Sequence, residues 1–283
     1  MSVPPSMSLD PEVSPATMTT ASGDLAALVG EPPAAARRAG PVLLVPGYTG
    51  SKEDFLPILG PLARAGHRAV AIDLRGQYQS TGPDDPAAYT IEAHAKDVAD
   101  VLAGLGPGAH LVGHSFGGLV TRRAVIGGAR PATHVLVGSG PAALPGRRAA
   151  TIPLMLEVVA ESGAEGYANA VTEMERGDPR MADVPEEVRR FLHERRMLGS
   201  GVALRVMGEQ ILSVPDEVAE LAAAGVRTLV VYGAADDAWP PELQAEMAAR
   251  LGAEAIGIEG SAHSPACEQP QAFVEVLLRF WQG

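Results

Sequence analysis

Ala109-His110-Leu111-Val112-Gly113-His114-Ser115-Phe116-Gly117-Gly118 is the stretch on which the reading of this chain turns. A short apolar run of strand character enters a serine flanked two places away on either side by glycine, the pattern G-x-S-x-G. Phe116–Ile126 then continues with helical spacing. A strand that turns into a helix so abruptly holds its corner residue in strained backbone geometry, and only glycines leave room beside it. The serine hydroxyl then stands at the top of a sheet, where the first amides of the helix face any charge that develops. G-x-S-x-G also arises by chance in a chain with 32 glycines; the strand before it and the helix after it are what single out Ser115 as a nucleophile.

Outward from this corner the chain alternates. Pro41–Val45 and Arg68–Ile72 are unbroken apolar runs, the pattern of parallel strands covered on both faces, and Lys52–Ala65 between them has helical spacing behind a capping Ser51. Helix Ile91–Leu105 leads to strand Ala109–Gly113, and helix Phe116–Ile126 to strand Thr133–Gly138. Further on come strand Arg227–Tyr232, helix Pro241–Leu251, a short strand near Glu254–Ile258 and a last helix Ala266–Trp281. This rhythm predicts an α/β fold with a doubly wound, mostly parallel sheet. The stretch 141–225 breaks it with helical segments Leu154–Met174, Glu186–Leu198, Val202–Ser213 and Glu217–Ala224, and reads as a helical cap inserted into a core of residues 19–140 and 226–283. Asp24–Val29 reads as an edge strand, and the proline-rich residues 1–18 as a disordered tail.

A nucleophilic serine needs a base, and the base an orienting acid. With an elbow of this kind the order along the chain is Ser, then Asp or Glu, then His. That order leaves His263, on the loop Gly260–Pro265 before the last helix, and excludes the five histidines up to His134; His193 lies among the inserted helices. The acid belongs at the end of strand Arg227–Tyr232, where Asp236 is the choice and Asp237 the reserve. Two backbone donors must face the oxyanion of a tetrahedral intermediate: the amide of Phe116, and that of Tyr48 in the loop Pro46-Gly47-Tyr48-Thr49-Gly50.

With these residues in view the chain resembles the α/β-hydrolase fold family from about Thr19 to Trp281. The likeness lies at five places: the Pro46–Gly50 loop, the Asp73-Leu74-Arg75-Gly76 turn, the elbow, the Gly233–Asp236 strand end and the loop before the last helix. It implies a carboxylic-ester, thioester or amide hydrolase that works through a serine acyl-enzyme, with no cofactor and a cap shaping the pocket. Related folds also host cofactor-free lyases, haloperoxidase-like enzymes, carbon–carbon bond hydrolases and non-catalytic ligand-binding members, so fold alone does not choose among these. Two departures stand out: Pro46 where the family usually has histidine, and Gln77-Tyr78-Gln79 inside the turn that the family usually writes Arg-Gly-x-Gly-x-Ser.

Gln77, Tyr78 and Trp239 are candidates for the substrate pocket, against plain packing or a surface loop. Met155, Met174, Met181, Met197 and Met207 could face an acyl chain or simply fill the core. Cys267, the single cysteine, excludes an internal disulfide and a multi-cysteine metal cluster, and reads as a small buried hydrophobe; no metal is expected. The 283 residues suit one core with an insertion, and the net charge of −12 argues against nucleic acid or a membrane surface as partner. No run reaches the ~20 apolar residues of a spanning helix, and the amino terminus does not read as a signal peptide. A cytoplasmic protein acting on a small molecule is the expectation, with the oligomeric state left open.

Overall fold

Strand-forming runs of Val, Leu, Ile and Ala with no polar interruption build the centre of the molecule. In the computed structural model, which describes residues 2–36 and 39–282, the strands are β1 (Val13–Thr20), β2 (Gly23–Gly30), β3 (Val42–Val45), β4 (Ala69–Ile72), β5 (His110–His114), β6 (Thr133–Val137), β7 (Thr228–Gly233) and β8 (Glu254–Ile258). They form one sheet in the order β1-β2-β4-β3-β5-β6-β7-β8. β1, β2 and β4 pair antiparallel and every pairing from β4 through β3 to β8 is parallel.

Successive side chains point to opposite faces, so each central strand feeds two cores. Leu43, Val45, Leu111 and Val230 pack against helices α2 (Ile91–Leu105), α3 (Phe116–Ile126) and α8 (Pro241–Leu251). Val42, Leu44, Val112 and Val231 pack on the other side against α1 (Leu56–Arg64) and α10 (Pro270–Gln282). Between β6 and β7 the described residues form no strand; they hold α4 (Gly146–Arg176, broken at Gly163), α5 (Glu186–Leu198), α6 (Gly201–Ile211) and α7 (Val218–Ala223). The helix expected over Lys52–Ala65 begins as a 3-10 turn at Lys52–Phe55, and the last one divides into α9 (Pro265–Glu268) and α10, because Pro270 disfavours helical geometry in the residue before it. Among the described residues no helix is long and apolar enough to cross a membrane.

The amino-terminal segment corrects the expectation of a disordered tail over residues 1–18. Val13–Thr20 is a full strand paired antiparallel with β2, in register from Val13↔Gly30 to Thr20↔Gly23. The β-branched residues Val13, Thr17, Thr19 and Thr20 outweigh Pro15, which an edge strand tolerates because one side of its ladder needs no donor. β2 is therefore an inner strand rather than the edge. Residues 2–12 precede it as ordered chain with Ser2 and Pro4 buried; Met1 and Gly283, the ends of the expected segments, lie outside the described residues.

Candidate active site

The chain runs from β3 to β4 on one side and from β5 to β6 on the other. The carboxyl ends of β3 and β5 therefore flank the point where the direction of winding reverses, the usual place for a site in such a sheet. Ser115 stands there, directly after β5, at φ 55° and ψ −119°. Its amide is tied to Val137 O at 2.8 Å. A Cβ on Gly113 would strike Thr121 Oγ1 and Gly117 O, and one on Gly117 would strike the carbonyl oxygens of Val45 and Pro46. Both glycines of the motif are thus sterically required.

Three side chains far apart in sequence meet at this corner. His263 Nε2 lies 3.0 Å from Ser115 Oγ, and His263 Nδ1 lies 3.0 Å from Asp236 Oδ1. Asp236 Oδ1 also accepts from the Ala238 amide at 2.8 Å, and Oδ2 from Gln244 Nε2 at 2.9 Å. Burial alone would raise this carboxyl, but the hydrogen bonds from His263, Ala238 and Gln244 together hold it below the ordinary range. Burial pushes the His263 imidazole down to about 4 against the opposing pull of Asp236, so it is neutral at pH 7 and able to accept a proton. Asp237 is turned away, paired with Arg148. His114 Nε2 donates to the carbonyl of His263 at 2.8 Å and fixes that loop from below.

Gly47 and Tyr48 follow β3, and the position of a Cβ on Gly47 lies 3.4 Å from Ser115 Oγ. No turn, loop or side-chain hydrogen bond among the described residues occupies the amide of Tyr48 or that of Phe116. The Tyr48 phenol donates to Leu204 O in α6 at 2.6 Å, and burial pushes its pKa well up. Gln77, expected in the pocket, instead braces this loop: its Nε2 donates to Gly47 O at 2.7 Å and to Tyr48 O at 3.1 Å, while its Oε1 accepts from the Leu74 amide at 3.1 Å.

A cavity of about 440 Å³ opens on Ser115 and His263. Its walls are the Gly47–Gly50 loop, Asp54, His114 and Ser2 on one part, and Ile152, Met155, Val158, Val171 and Met174 of α4 on another. Neither Gln77, Tyr78 nor Trp239 lines it, which corrects that expectation. Trp239 is fully buried, with Nε1 donating to Ala142 O at 3.2 Å and its ring filling the space that Gly140 leaves. Tyr78 packs edge-on against Phe191 and under Lys52 Nζ and, with Gln77, lines a separate small pocket of about 20 Å³ that shares Tyr48, Thr49, Gly50 and Tyr167 with the cavity. Of the methionines, Met155 and Met174 reach the cavity, whereas Met181 and Met207 fill cores. Cys267 donates Sγ–H to Asp54 O at 3.1 Å, and burial raises its thiol far above the usual range, which leaves it unreactive. No cluster of three or more His, Cys, Asp or Glu among the described residues could hold a metal ion.

Gln244 is the residue that sequence reasoning missed. It is fully buried on α8, and its Nε2 bridges Asp236 Oδ2 and, at 2.7 Å, Trp239 O. Its trace in the sequence is one polar residue on the inward face of a helix whose neighbours there are Met247 and Ala248.

Residues 42–276 match the model of a known family. The chain belongs to the alpha/beta hydrolase family. Among curated proteins it is similar to "Putative carbamate hydrolase RutD" of Variovorax paradoxus, 45% identical over 100 residues, which is 35% of this chain. The match spans little more than a third (37%) of that relative's length. Among solved structures, bromoperoxidase from Bacillus anthracis superposes with a TM-score of 0.78 at 21% identity, covering 95% of this chain and 100% of that one. A thermophilic esterase from Thermogutta terrifontis gives 0.73 at 23% identity, covering 95% and 98%. These two likenesses are of fold, and they show that the eight-stranded sheet of this alpha/beta hydrolase is the family's own.

Two expectations follow from this geometry. Gln77→Leu removes the donor that holds the Gly47 and Tyr48 carbonyls, so the loop shifts by a fraction of an ångström. A drop in kcat of about ten- to a hundredfold with little change in KM is expected, since a misplacement near 1 Å costs about that much. The measurement is steady-state kinetics on a substrate that the wild-type chain turns over. The second concerns acid. His94 and His134 are held by burial at about 3, and His263 at about 4, whereas an unfolded imidazole titrates near ~6.5. Between these values the unfolded chain binds more protons, so the stability is complete above pH ~6.5 and falls as the pH drops toward 3–4. Each histidine contributes about 1.4 kcal/mol per pH unit in that window. Urea midpoints at pH 7, 6 and 5 should decline progressively.

Proposed function

We propose that this chain hydrolyses carboxylic esters of small, largely apolar acids through an acyl-enzyme on Ser115, with Asp236 and His263 completing a catalytic triad. The observation that carries this reading is the unbroken line Ser115–His263–Asp236, 3.0 Å at each step, opening on the cavity. His263 Nε2 takes the proton as Ser115 Oγ bonds to the carbonyl carbon. The Tyr48 and Phe116 amides receive the oxyanion, aided by the positive end of α3. His263 then passes its proton to the departing alcohol, and Asp236 stabilises the imidazolium in between. Water repeats the sequence to release the acid.

The helices between β6 and β7 act as the cap, with the α4 side chains lining an apolar wall for the acyl chain. A thioester fits the same machinery. The partial likeness to a carbamate hydrolase adds carbamates, whose carbonyl carbon is open to the same attack. The test is twofold. A fluorophosphonate should label Ser115 at one equivalent per chain, found by mass spectrometry of the tryptic peptide. A panel of p-nitrophenyl esters with acyl chains of two to twelve carbons, together with aryl carbamates, should show turnover that the same reagent abolishes. An unlabelled Ser115 after prolonged exposure, with no turnover on the panel, overturns the reading.

A further inference from the structure

The first residues of the chain reach the cavity wall. Ser2 is buried and faces the cavity beside Asp54 and His114. Its hydroxyl shares a hydrogen bond of 2.9 Å with Ser264 Oγ, one residue after His263. Its carbonyl accepts from Arg195 Nη2 at 3.3 Å, and the same guanidinium grips Asp54 through Nη1 at 2.7 Å. Arg195 belongs to α5, so one end of the segment touches the inserted helices, the loop of His263 and the cavity at once.

The following residues hold it in place. Val3 and Met7 pack against the α5 cluster of Val188, Phe191 and Leu192, and Met7 also packs on the core beneath the sheet. Pro4 and Pro5 fix φ and remove two donors, which suits an extended strap that joins neither helix nor ladder. Asp10 anchors the far end by an ion pair with Arg64 Nη1 at 3.0 Å, its carboxylate lying against Gly60, where any side chain would collide with it.

We propose that residues 2–10 are a specificity-determining strap that clamps α5 to the His263 loop and closes the polar end of the cavity, limiting the size of the alcohol portion of the ester. This rests on the ester-hydrolase reading. The alcohol is assigned to that end because its oxygen must be reached by His263, whose neighbour Ser264 holds the strap. The wall there is polar (Ser2, Asp54, His114), whereas α4 beyond its first turns, which carry Arg148 and Thr151, offers the apolar wall of Ile152, Met155, Val158, Val171 and Met174 for the acyl chain.

The experiment compares wild type, a chain with residues 2–9 deleted, and Ser2→Phe. Substrates are hexanoate esters of methanol, butanol, benzyl alcohol and 1-naphthylmethanol. Alongside them, methyl esters of varied acyl length keep the alcohol constant. Deletion is expected to raise the naphthylmethyl-to-methyl ratio of kcat/KM at least tenfold, and Ser2→Phe to lower it by a similar factor, with the acyl-length profile unchanged in both. An unchanged alcohol ratio in Ser2→Phe overturns the proposal even where the deletion fails to fold, and so does an unchanged ratio in a folded deletion. Hydrogen exchange of α5 separates the two readings. If wild type turns over no ester, the functional reading fails. The specificity role then falls with it, while the clamp on α5 stands if the α5 amides exchange at least tenfold faster in the deletion and falls if they do not.

Discussion

Ser115→Ala is expected to reduce kcat by about a millionfold on any ester the wild-type chain turns over, the size of loss seen when a triad nucleophile is removed. Alanine has no atom to form the acyl bond, and His263 Nε2 loses its partner at 3.0 Å. The fold should be untouched. Among the described residues the side-chain hydroxyl contacts only His263 by hydrogen bond, and alanine carries the same Cβ into the strained φ of 55°. The cavity and the two amides remain, so a residual rate about a thousandfold above water is expected. The Kd of a non-hydrolysable ester analogue, read by thermal shift, should hardly move. A variant that kept a tenth of wild-type activity would mean that the reaction runs through another group.

Asp236→Ala should lower kcat by about ten-thousandfold, less than loss of the nucleophile because its role is indirect. Asp236 Oδ1 lies 3.0 Å from His263 Nδ1; in the proposed mechanism this leaves Nε2 bare to accept the Ser115 proton, and the carboxylate balances the imidazolium that follows. Both effects vanish with the carboxylate. Asp236 also raises the His263 pKa against burial, so its removal shifts the acid limb of kcat/KM below the value near 4 expected of wild type. The same substitution strands Gln244 Nε2 without its carboxylate oxygen, now 2.9 Å away, and a modest loss of stability should accompany the kinetic one. A pH–rate profile and a urea titration of the variant check the two parts.

How much of this could be read in the chain divides along a physical line. The elbow was legible because its pattern is local: β5, the Ser115 corner and α3 follow one another without a break, and Gly113 answers clashes within them, while Gly117 answers the carbonyls of Val45 and Pro46 at the end of the neighbouring strand. His263 and Asp236 were legible because the parallel order of β5, β6, β7 and β8 brings the ends of those strands to one edge. Gln77, Gln244 and Trp239 depend on contacts across the fold. Gln77 meets carbonyls about thirty positions away, and Gln244 meets a carboxylate eight residues earlier; no local pattern distinguishes such a brace from a pocket wall or a surface polar group. The strand at Val13–Thr20 was hidden by prolines, whose influence on composition exceeds their influence on an edge. The α4 wall was visible only as helices, since which face of an inserted helix looks into the cavity is set by packing alone.

Tyr48 works at both of its ends. Its amide carries no turn, loop or side-chain hydrogen bond among the described residues, and its phenol donates to the Leu204 carbonyl of an inserted helix at 2.6 Å. Any displacement of α6 would therefore be felt by the same residue whose amide the proposed mechanism offers to the oxyanion.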